Sequence, residues 1–166
     1  MKKLIILLLT LILMPICGFS ASWQMMPVNV YVPNHPKASL MKGAFGELER
    51  NSNGYLKFRF VDSSSRARIT VSFVDYCDHD NAVGLTYQNY NTYAFLKNSI
   101  KIGLRNPSNG RPYSDRELYT IMVHEAGHSI GMVHTNDPKD IMYPYLNSEQ
   151  QALTNTDISQ IKYLYR

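Results

Sequence analysis

Apolar and polar positions change rhythm several times along this chain of 166 residues. Leu4 to Ile16 is a nearly unbroken apolar run, set behind Lys2-Lys3 and ahead of Gly18-Phe19-Ser20, whose small residues suit a processing site. This predicts an export signal over residues 1–20, cleaved after Ser20. The run spans 13 residues and holds Thr10 and Pro15, whereas a bilayer-spanning helix needs about 20 apolar residues. No stable membrane anchor is therefore expected after cleavage.

Beyond Ala21 there is no repeat and no Gly/Ser-rich linker, so residues 21–166 read as one domain. Pro27 to Val32 alternates like a strand. Lys37 to Asn51 sets Leu40, Ala44, Phe45 and Leu48 at helical spacing before an Asn53-Gly54 stop. Tyr55–Val61, Arg68–Val74, Ala82–Tyr87 and Ser99–Leu104 have strand character, and the polar Tyr/Asn stretch around Gln88–Tyr93 is expected to be loop. A second helix opens at Ser114, with Glu117 placed to complete a capping box. A last one opens at Thr154 to Asp157 and offers Ile158, Ile161, Leu164 and Tyr165 to a core. The order predicts a mixed α/β fold.

Composition narrows the classes. With 45% hydrophobic and 18% charged residues the chain can bury one core, which excludes disordered, collagen-like and multi-span membrane proteins. The formal charge of +4 includes Lys2 and Lys3; the processed chain would carry only about +2, so a nucleic-acid partner is not expected. Of the two cysteines, Cys17 falls in the signal, leaving Cys77 with no disulfide partner in the processed chain. Pro15-Ile16 ahead of Cys17 argues against lipid attachment there.

The chemistry concentrates in His124-Glu-Ala-Gly-His-Ser-Ile-Gly-Met-Val-His134. Four residues along a helix is 400°, so His124 and His128 share one face a turn apart, a spacing that suits two nitrogens on one zinc ion. In a continuous helix His134 would lie about 15 Å further on and about 80° off that face. Gly131 supplies the remedy, since a residue that tolerates positive φ can end the helix and swing the chain back. Three protein ligands leave one position for water, the catalytic arrangement of zinc. Glu125 follows the first ligand, points along the cleft, and suits a general base for amide hydrolysis.

This stretch resembles the zinc signature of the metzincin metallopeptidases, and Thr135 after the third histidine resembles the matrixin branch. Asp140-Ile-Met-Tyr-Pro144 is similar to the matrixin Met-turn, which implies that Met142 forms a hydrophobic floor beneath the histidines. Leu40–Val61 and Leu153–Tyr165 resemble the first helix-strand unit and the closing helix of matrixin catalytic domains. The implied fold is a twisted five-stranded, mostly parallel sheet with one antiparallel edge strand and three helices. Its active-site cleft lies above a small C-terminal subdomain.

The departures from the matrixin pattern are informative. Only Ala21–Met26 separate the signal from the first strand, too little for a latency peptide, so control by compartment or by a separate inhibitor is expected. Cys77 reads as a plain thiol, not as a blocker of the zinc. Matrixins carry a second, structural zinc on three histidines and an aspartate; only His35 and His79 remain here, so one catalytic zinc is expected. Asp78, Asp80 and Asn81 offer oxygens to calcium, but a solvated turn is the preferred reading. The family's Pro-x-Tyr pocket wall becomes Pro144-Tyr145, which keeps a hydrophobic pocket while shifting the aromatic by one position. Tyr143 is read as a packing residue. By analogy, the edge strand near Gly84 and Leu85 pairs with extended substrate.

The expectation is a secreted or periplasmic zinc endopeptidase acting on protein or peptide substrates, with the oligomeric state left open by the sequence and a monomer favoured. His124, His128 and His134 would hold the metal and Glu125 would act as base. An exported zinc-containing binding module is the alternative, which retention of Glu125 disfavours; hydrolysis of a non-peptide amide is a third reading.

Overall fold

The computed structural model describes residues 21–77, 82–150 and 152–165. The predicted signal, His79 and the calcium candidates Asp78, Asp80 and Asn81 lie outside those residues. The chain runs β1 (Val28–Tyr31), α1 (Ala38–Asn51), β2 (Phe58–Phe60), β3 (Ile69–Val74), β4 (Gly84–Tyr90), β5 (Phe95–Gly103), α2 (Asp115–Ser129) and α3 (Asn155–Leu164), with a 3₁₀ turn at Ser64–Arg66.

The five strands form one sheet in the order β2-β1-β3-β5-β4. All neighbours are parallel except β4, which runs antiparallel to β5 at the edge. Alternation sorts the faces: Val28, Val30, Ile69, Val71, Ile100 and Ile102 are buried on one side. Their neighbours Asn29, Thr70, Ser72 and Ser99 stay partly exposed on the other. Helix α1 contributes Met41, Ala44, Phe45 and Leu48 to the core, and α2 contributes Leu118, Ile121 and Met122. Both capping boxes form, at Ser114–Glu117 and at Thr154–Asp157.

One sequence reading is corrected. Gln88–Tyr93 is not all loop, because β4 continues to Tyr90 and pairs Gln88 with Asn98 and Asn89 with Lys97. The outer half of this edge strand is exposed on both faces, so no apolar alternation marks it. The hairpin then closes on Asn91, whose Oδ1 accepts the backbone N–H groups of Tyr93 and Ala94. β2 is also shorter than the Tyr55–Val61 run. Leu56 is buried in the turn after α1, where its N–H donates to Ser52 Oγ.

Among the described residues of 130–154, between α2 and α3, there is no helix or strand. This stretch and α3 form the predicted lower subdomain.

Candidate metal centre

The C-terminal half of α2 carries His124, Glu125 and His128, and the helix ends at Ser129. Gly131 has φ +102°, the left-handed turn that its spacing predicted. The Met132 N–H reaches back to Gly127 O at 3.0 Å, and the reversed chain brings His134 under the helix. His128 Nε2 lies 3.0 Å from the Nε2 atoms of both His124 and His134. The ligand atoms of all three lie within 4.8 Å of one another.

The protonation of these rings follows from their outer nitrogens. His124 Nδ1 is 2.7 Å from Ile141 O and His128 Nδ1 is 3.0 Å from Met132 O. A carbonyl only accepts, so each Nδ1 carries the proton and each Nε2 presents a lone pair. Burial pushes both imidazoles down to about 4, holding them neutral. Two lone pairs facing each other at 3.0 Å repel unless a cation lies between them. The donor set therefore fits zinc: three imidazoles, two of them with carbonyls fixing the tautomer.

Glu125 is 5% exposed. Burial raises its carboxyl to about 7, against the opposite pull of a hydrogen bond from Thr86. Thr86 Oγ1 stands 2.6 Å from Glu125 Oε2 and 3.0 Å from its backbone oxygen. Gly84, two residues earlier on the same face of β4, completes the cradle. A Cβ there would come within 2.6 Å of Glu125 Cγ and Oε1. Gly84 is thus a strand residue whose missing side chain makes room for the carboxylate.

The lower half is held by side chains. Asp157, fully buried on α3, accepts Ile141 N–H at 2.9 Å, Met142 N–H at 3.2 Å and Thr154 N–H at 2.9 Å. Gln150 donates to Asp140 O and Tyr143 O, each at 3.2 Å. Gln160 pairs with both backbone groups of Val133, next to His134. Met142 is fully buried against α2, where a Cβ on Gly127 would lie 2.7 Å from its Sδ.

The last carbonyls of α2 also find partners outside the helix. Gln88 donates to His128 O. Ser129 O accepts from Trp23 Nε1 and Asn98 Nδ2, each at 2.9 Å. The Tyr165 hydroxyl donates to Ile130 O at 2.9 Å and accepts the Trp23 N–H at 3.2 Å.

A cleft of about 560 Å³ brings Gly84, Leu85, Pro144 and Tyr145 together with the three histidines and Glu125. Tyr143 also lines it, with its ring 5.7 Å from that of Tyr145, which is 70% exposed. Gly131 and Met142 shape the site without lining the cleft. Of the remaining candidates, His35 stacks on Phe73 and its Nδ1 accepts the Lys37 N–H. Cys77 is half-buried near Gly103 and does not join the histidine group.

Sequence reasoning missed Thr86, Gly127, Asn98, Gln150 and Gln160, and saw Asp157 only as a cap. Gly127 alone carried a signal, since a glycine inside a helix costs stability unless something approaches closely.

A family model described as Matrixin matches residues 20–166. The chain is 41% identical over 58 residues to macrophage metalloelastase of Rattus norvegicus, covering 33% of this chain and 12% of that protein. It is 38% identical over 60 residues to matrix metalloproteinase-16 of Homo sapiens, with 34% and 10% covered. With metalloendoproteinase 2-MMP of Arabidopsis thaliana it shares 39% over 51 residues, with 30% and 14% covered. The matches thus span about a tenth of the length of these relatives.

Proposed function

The chain belongs to the matrixin family, and from that premise we propose that it is a zinc-dependent endopeptidase. The observation that carries this reading is the convergence of three imidazole nitrogens beside a buried carboxylate in one cleft. His124, His128 and His134 would hold the ion. Zinc bound there supplies a Lewis acid that polarises a substrate carbonyl and acidifies a water molecule.

The protein's own groups do the rest. The Glu125 carboxylate takes the proton of the attacking water and returns it to the leaving amine. β4 is the sheet edge, so an extended peptide would add to its outer side beside Gly84 and Leu85, with Pro144 and Tyr145 as the opposing wall. Met142 serves as the packed floor beneath the ligands. Residues 1–20 act as the export signal and 21–166 as the catalytic unit, released to the periplasm or the medium.

The test is cleavage of a quenched-fluorescent peptide library with and without chelator, beside Glu125→Gln. Chelation should abolish cleavage, and the variant should lose about 10²–10⁴-fold in kcat while retaining one zinc per chain. Activity unchanged in Glu125→Gln would overturn the mechanism. One bound zinc with no cleavage of any peptide or protein would favour the binding module.

A further inference from the structure

Nothing in the His-Glu-x-x-His pattern says how the carboxylate of Glu125 is aimed, and the answer lies on a different element. β4 touches the functional end of α2 through Gly84, Thr86 and Gln88, alternate residues that share one strand face. Gly84 leaves bare Cα against the Glu125 side chain. Thr86 places its hydroxyl on Oε2 and on the main-chain oxygen of the same residue. Gln88 donates to His128 O. The middle contact reaches both ends of Glu125 at once, and a flexible side chain held at its tip and at its own backbone has few rotamers left. At 2.6 Å the contact to Oε2 is a short, charge-assisted hydrogen bond within a site shielded from water. Gly84 closes the opposite side, because any Cβ would overlap Oε1.

We propose that Thr86 is the positioning residue of the catalytic carboxylate, clamping Glu125 from the edge strand that also receives the substrate. The proposal rests on Glu125 being the base. Thr86 acts through that carboxylate and lies outside both the cleft lining and the histidine group. Its loss would leave the β4 backbone and the three imidazoles in place while freeing the carboxylate to turn.

The test compares Thr86→Val, which keeps the shape and removes the hydroxyl, with Thr86→Ser, which keeps the hydroxyl, and with Glu125→Ala. Thr86→Val should lower kcat about tenfold, the equivalent of one hydrogen bond, with KM within twofold and one zinc still bound. Thr86→Ser should stay within about threefold of the parent protein. A second readout needs no activity. In chelated protein, Thr86→Val should lower the unfolding midpoint clearly more when Glu125 is present than in the Glu125→Ala background, where only the bond to the main-chain oxygen remains to be lost. Equal kcat values for Thr86→Val and the parent, a Thr86→Ser loss as large as that of Thr86→Val, or the same midpoint shift in both backgrounds would each overturn the proposal. If Glu125→Ala keeps full activity, it is the base assignment that fails, whereas a dead Glu125→Ala beside a fully active Thr86→Val removes the clamp alone.

Discussion

The two halves of the histidine site are fixed by different means. His124, Glu125 and His128 sit on a regular helix whose backbone bonds to itself, and its position is set by Leu118, Ile121 and Met122 in the core. His134 and Met142 sit on chain with no helix or strand, and their neighbours' backbone groups are taken by Gln160, Gln150 and Asp157. An irregular segment can be held as firmly as a helix when buried side chains supply the bonds that a partner strand would otherwise give. The cost is concentration, since a single carboxylate then satisfies several donors.

That concentration makes Asp157→Ala the most damaging change outside the ligands. Three backbone N–H groups lose their acceptor, and the loss should be roughly 3 kcal/mol or more. Urea unfolding measures it, and a loss below about 1 kcal/mol would mean that local turns alone hold Ile141 and Met142.

The contact between the halves comes next. Gly127→Ala would drive a Cβ to 2.7 Å from the buried Sδ of Met142. Ala favours the helix by about 1 kcal/mol, but overpacking costs about 1–3. A net destabilisation of up to about 2 kcal/mol is expected by thermal unfolding. A stabilised variant would show that the loop half yields where the helix does not.

The helical half also brings its own acid sensitivity, readable in chelated protein. His124 and His128 have folded values of about 4 against an ordinary 6.5, so their contribution is complete above 6.5 and lost as pH falls. Glu125, raised to about 7 from 4.5, acts oppositely: its contribution is complete below 4.5 and lost as pH rises. Between about pH 5 and 6, unfolding should take up two protons and release one. Stability should therefore rise with pH by about 1.4 kcal/mol per unit. A flat profile of unfolding midpoints would mean that these groups meet solvent in the folded chain.

The same contrast governs what could be read from the sequence. The helix announced itself through the Ser114–Glu117 box, the His124/His128 spacing and the Gly131 reversal, because all of these are local. The parallel sheet and its antiparallel edge came through the matrixin resemblance and the alternating apolar residues. The end of β4 escaped because Gln88 to Tyr90 are exposed on both faces. Asp157 was visible as a cap, yet its bonds to Ile141 and Met142 join segments about fifteen residues apart. Thr86 lies further still from Glu125 in sequence. Polar side chains that bond across the fold leave no periodic trace.

Trp23 and Tyr165, 142 residues apart, meet beneath the carbonyls of the segment that links His128 and His134. In the order of synthesis the signature is made well before the residues that set its final turn. A nascent chain that has reached His134 but not Asp157 and Tyr165 owns every ligand, yet lacks the acceptor under Ile141 and Met142 and the hydroxyl under Ile130. The centre is completed by Asp157 and Tyr165 and not by the motif, so a polypeptide that has emerged only as far as His134 carries the signature without the geometry.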